Sequence, residues 1–82
     1  MDNQATTTTV ERPSRRGRRT RTALLAATRS LIEERGFEAV SMAAVAERAG
    51  VTRRAVYLHF ATRAELVAAL FDYVIEVEGL AE

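Results

Sequence analysis

Apolar residues recur along this chain at helical spacing, and nowhere do they alternate as in a strand. Leu24, Leu25, Thr28, Leu31 and Ile32 fall three and four residues apart. That spacing makes one stripe on a helix predicted over about residues 21–35. Gly36 is placed to stop this helix in the left-handed αL conformation, and Phe37 and Val40 follow as expected core anchors. A second, short helix is predicted over Met42–Ala49, with Ser41 as N-cap and Met42, Val45, Ala46 and Ala49 facing inward. Gly50 ends it, and Ala49-Gly50-Val51 forms the turn. A third helix starts from the N-cap Thr52 and ends near Phe60. Thr62-Arg63-Ala64-Glu65 has the form of a capping box and opens a fourth helix reaching about Glu78, where Gly79 follows. Leu66, Val67, Leu70, Phe71, Val74, Ile75 and Val77 make that helix apolar over more than one face.

A Gly-containing turn between two short helices is the mark of a helix-turn-helix. The pattern therefore predicts an all-α fold: a homeodomain-like three-helix bundle with a helix-turn-helix over residues 21–62, followed by a fourth, longer helix over residues 63–82. Residues 1–20, with four consecutive threonines, Pro13, Ser14 and Gly17, lack periodicity and are expected to be a disordered arm. Some sixty residues remain to build a core, which is near the lower limit for independent folding.

Composition removes several classes of function. There is no cysteine, so neither a disulfide scaffold nor the usual zinc sites are available, and a reducing cytoplasm suits the chain. The polar N-terminus does not resemble a signal peptide, and the longest apolar run, residues 66–71, is far too short to span a bilayer. A single histidine, His59, without carboxylates patterned around it makes no metal site. No nucleophile–base pair, phosphate loop or Gly-rich fingerprint is present, so the expectation is a protein without catalytic residues, cofactor, metal or membrane contact.

Charge adds direction. All twelve basic side chains are arginine. Arg12, Arg15, Arg16, Arg18, Arg19 and Arg21 against Asp2 and Glu11 give residues 1–21 a net +4. Residues 22–63 carry +2, and residues 64–82, without a single arginine, carry −5. A basic first three-quarters suits a polyanion, with the acidic tail facing away from it.

The third helix is where the charge meets the fold. At about 100° per residue, Thr52, Ala55, Val56, His59 and Phe60 share one side, and Arg53, Arg54, Tyr57 and Leu58 share the other. The first set fits against the other helices. The second presents two arginines near the helix start, where a recognition helix reaches deepest into the major groove. Arginine reads guanine through O6 and N7 and fits phosphate equally well. Leu58 beside them suits a thymine methyl or a sugar. Tyr57 suits a phosphate, and His59 suits either the flank of the helix or a phosphate. The helix N-termini capped by Ser41 and Thr62 attract anions. Arg63 opposes the dipole of its own helix, a placement that favours a nearby phosphate. Arg18, Arg19 and Arg21 lie in the densest basic cluster, which as an arm would reach into the minor groove.

Residues 21–66 resemble the DNA-binding domain of the TetR family of bacterial transcriptional regulators. The resemblance rests on LIEERGFEAVSMAAVAERAGVT and AVYLHFATRAEL, and above all on Gly36-Phe37, Ala46, Ala49-Gly50-Val51-Thr52, Tyr57, His59-Phe60 and Arg63 three before Leu66. It implies that Arg53, Arg54 and Ala55 face bases or nearby backbone, and that Tyr57, His59 and Arg63 contact phosphates. It also implies a double-stranded operator as partner, a homodimer for the full-length protein, and a small-molecule effector bound only by a C-terminal domain. The chain stops just after the fourth helix, so an excised or truncated DNA-binding domain, with apolar residues of that helix left uncovered, is expected. The predicted function is that of a sequence-specific regulator, most often a repressor, in a bacterial cytoplasm. Non-sequence-specific architectural DNA binding and a helical protein-interaction module remain open as alternatives.

Overall fold

The computed structural model describes residues 15–79. They form α1 (Arg15–Arg35), a 3-10 turn (Phe37–Ala39), α2 (Met42–Ala49), α3 (Arg53–His59) and α4 (Arg63–Glu78), with no strand among them. α1 packs against α2, the 3-10 turn and α4, while α3 packs on α2. Leu24, Leu25, Leu31, Val45, Val56, Phe60, Leu66 and Leu70 are buried at the centre, so every helix contributes to one core. Thr28 is buried among them, and its hydroxyl donates to the Leu24 carbonyl at 2.8 Å, which satisfies it inside α1. No helix of the described residues is long and apolar enough to cross a membrane.

The all-α architecture and the order of its four helices are as the periodicity predicts. Three local expectations are corrected. First, α1 begins at Arg15, so residues 15–20 are helix where an irregular arm was expected; the rest of that arm lies outside the described residues. Arginine is a good helix former, and extending an existing helix is far easier than nucleating one. Apolar periodicity does not register such an extension. Thr20 follows it, its hydroxyl bonding the Arg16 carbonyl at 3.0 Å. α1, with 21 residues, is therefore longer than α4, with 16.

Second, Gly36 does not adopt αL. Its φ of 93° and ψ of 163° lie in a region open essentially to glycine alone, and this turns the chain sharply into the 3-10 segment. Gly50, at φ 75° and ψ 31°, is the αL cap expected of α2. Third, Phe37 is not a core anchor. It is 47% exposed, and Val40 alone of the pair is buried. The 3-10 turn points the ring outward, where Arg63 covers it.

Candidate nucleic-acid interface

α3 is only seven residues long, and such a helix needs its ends and one side held from outside. Thr52 supplies the N-cap, its hydroxyl accepting from the Ala55 amide at 3.1 Å. Val56 is fully buried and Phe60, the C-cap residue, is nearly so. Burying each is worth about 1.5–3 kcal/mol, and together they clamp the helix from its inner side. The outer side carries Arg53, Arg54, Tyr57 and Leu58, all exposed, with Leu58 at 75%. Neither Arg53 nor Arg54 makes a hydrogen bond or ion pair among the described residues. Two arginines on one exposed face with no partner among the described residues have their guanidinium donors available to an outside acceptor.

Ala55 and His59 are half-buried at the edges of this face. The His59 ring lies 6.3 Å from that of Phe60, tilted by 41°. His59 thus sits on the flank of the helix, beside its anchor.

The capping hydroxyls are committed internally. Ser41 accepts from the Ala44 amide at 3.0 Å, and Thr62 accepts from the Glu65 amide at 3.1 Å. The expected capping box is shifted by one residue, since the Glu65 carboxylate accepts from the Ala61 amide rather than that of Thr62.

Arg63 is held within the fold. Its Nε donates to the Val40 carbonyl at 2.8 Å and its Nη2 to the Phe37 carbonyl at 2.9 Å. The guanidinium also lies over the Phe37 ring, 4.5 Å from the centroid. These carbonyls meet the cation in the first turn of its helix. The contact closes the segment just before Ser41 onto the start of α4.

The basic cluster is divided. Arg18 and Arg19 are exposed on the helical extension of α1. Arg21 lies over the Phe60 ring, 5.3 Å from its centroid, and so joins α1 to the end of α3.

One arrangement escaped sequence reasoning. Arg48 at the end of α2 grips Glu34 near the end of α1 with two hydrogen bonds, of 2.7 and 2.9 Å, and also donates to the Ser30 hydroxyl at 2.7 Å. The paired guanidinium lowers the Glu34 pKa below the usual carboxylate range and raises that of Arg48. Three residues drawn from two helices carry no local signal of their meeting. The pair joins the ends of α1 and α2 at the surface.

The family model described as bacterial regulatory proteins, tetR family, matches residues 24–70. The chain belongs to this family. Over 67 residues it is 40% identical to two proteins of Pseudomonas putida, the HTH-type transcriptional regulator TtgR and the probable HTH-type transcriptional regulator ArpR. Each alignment takes in 82% of this chain and 32% of the relative, so the chain spans about a third of the length of the curated relatives it matches. No solved structure gives a significant match. The TetR-family match spans α2, the Gly50 turn and α3 whole, together with most of α1 and the first half of α4. The domain therefore carries the helix-turn-helix region of that family.

Proposed function

We propose that this chain reads an operator in duplex DNA by laying α3 in the major groove, and that the protein it represents acts as a repressor. The observation that carries this is the two-sided character of α3. Val56 and Phe60 fix it to the core, and Arg53 and Arg54 project from the other side without a partner among the described residues. In the groove, Arg53 and Arg54 read guanine edges or the backbone beside them, Leu58 meets a thymine methyl or a sugar, and Ala55 lets the helix approach closely. Tyr57 and His59 donate to phosphates at the rim. The partial negative charge of the Phe37 and Val40 carbonyls engages Arg63, so its contribution is to hold the reading unit together.

The family resemblance supports the remaining assignments. The reader works as a homodimer that places two α3 helices one helical turn apart, about 34–36 Å. A small effector bound outside the helix-turn-helix controls that spacing, and the protein operates in the bacterial cytoplasm.

The test is selection of bound sequences from a random duplex pool. A specific reader enriches a two-fold-related motif and prefers it over random duplex by about 10³-fold or more. Enrichment of no motif, with equal affinity for all duplexes, is the signature of an architectural DNA binder. Absence of duplex binding at low salt is that of a protein-interaction module.

A further inference from the structure

Resting on the DNA-binding reading above, we propose that residues 15–21 meet duplex DNA as a helical arm laid against the phosphate backbone, and not as an extended thread in the minor groove. These residues are the opening turns of α1, and an α-helix with its side chains is about 10–12 Å across. The minor groove is about 6 Å wide, so it does not admit a helix.

Arg21 stacks on Phe60, the residue that closes α3. The arm therefore departs from alongside the reading helix, and an element fixed there meets the backbone flanking the base pairs that α3 reads. At about 100° per residue, Arg15, Arg18, Arg19 and Thr22 fall within about 100° of one another, roughly opposite the buried stripe of Leu24, Thr28 and Leu31. The same four residues line one shallow recess with Ala23. Arg16 and Arg21 carry the charge around both flanks.

The first turn of α1 contains no acidic residue. Arginines there oppose the helix dipole, and the pairs 15/18, 16/19, 18/21 and 15/19 set like charges at repelling helical spacings. None of residues 15–23 is buried, and the Phe60 ring offsets part of the charge at Arg21. A row of phosphates relieves both terms at once. The arm's helix is therefore tightened by the polyanion it binds.

The experiment uses the whole chain and a charge-neutral lever. Thr22 is exposed between the arm and the first core residue, so Thr22→Ala strengthens and Thr22→Gly weakens the helix. Affinity is measured against salt on duplexes that share one selected site but differ in flanks, all A·T or all G·C, and on random duplex. The helical arm predicts that Thr22→Ala binds at least as tightly as the parent and Thr22→Gly several-fold more weakly. It predicts a gain of helical circular dichroism on adding duplex. The combined variant R18Q/R19Q lowers the salt slope by about two, at roughly 0.9 per phosphate, with flank composition changing affinity less than about twofold throughout.

Tighter binding by Thr22→Gly than by Thr22→Ala overturns the proposal. So does a preference for A·T flanks that R18Q/R19Q abolishes, because the minor groove separates A·T from G·C. An unchanged salt slope in R18Q/R19Q takes the arm off DNA altogether. If the parent binds random duplex and the selected site equally, operator reading by α3 fails, while the slope and the Thr22 pair still report on the arm.

Discussion

Arg63 stacks on Phe37 and at the same time hydrogen-bonds its carbonyl, so one side chain at the head of α4 holds the turn that precedes the helix-turn-helix. A phosphate contact needs only the positive charge, whereas this clamp needs the planar fork and its stacking face. Arg63→Lys is therefore expected to destabilise the fold by about 1–3 kcal/mol, the range for charged hydrogen bonds with a cation–π contribution. Urea denaturation checks this. In DNA binding, the salt slope should be unchanged, while Arg63→Lys with full stability would return Arg63 to the phosphates.

The Arg48–Glu34 pair makes stability depend on pH. The folded-state pKa of Glu34 is depressed, with the hydrogen bond from Arg48 as the largest cause. The unfolded carboxylate titrates near its ordinary value of about 4.3. The stabilisation is thus complete above that pH and is lost as pH falls through the lower folded value. Both groups are solvent-accessible, so the effect is small. Denaturation midpoints at neutral and acidic pH should show the parent losing more than Glu34→Gln between the two. Equal losses would remove the pair from the account.

Two glycines separate backbone strain from crowding. A Cβ at Gly36 or Gly50 meets nothing within 4 Å, so each substitution reports backbone conformation alone. Gly50→Ala should cost about 1–2 kcal/mol, the left-handed penalty for an L-residue. Gly36→Ala should cost more, within about 1–3 kcal/mol, because its region is nearly closed to other residues. Gly50→Asn should be milder than Gly50→Ala. A reversed order of Gly36 and Gly50 under thermal denaturation would contradict these dihedral assignments.

Phe71, Ile75 and Val77 are exposed on α4, and Phe71 and Ile75 border a groove with Ile32 and Leu70. Apolar surface on that scale favours either self-association or fraying of the helix end. In dilute solution, amide exchange should be fastest, among the helical residues of α2 to α4, over residues 74–77. Phe71→Ser should reduce any concentration-dependent sedimentation. Strong protection of residues 74–77 in a dilute monomer would count against this.

Leu24, Leu31, Val45, Val56, Leu66 and Leu70 could be placed in the core from their spacing, because burial and helical periodicity are the same signal. The outer face of α3 follows for the same reason: once Val56 and Phe60 are turned inward, Arg53, Arg54, Tyr57 and Leu58 have one side left. The start of α1 was hidden because arginine favours helix without leaving an apolar trace. Phe37 was misplaced because hydrophobicity does not say which way a 3-10 turn points a ring. Arg63 and Arg48 found partners 23 or more and 14 or more residues away, respectively, through tertiary packing that no local pattern encodes.

The central claim is that the outer face of α3 reads bases. It is tested most directly by comparing Arg53→Ala with the parent on the selected duplex and on variants with each guanine replaced. The account predicts a loss of about 1–3 kcal/mol on the selected duplex and a flattened preference at one base pair, as when a bidentate guanine contact is removed. Unchanged affinity on every duplex, or an equal loss on all of them with preference intact, would contradict it.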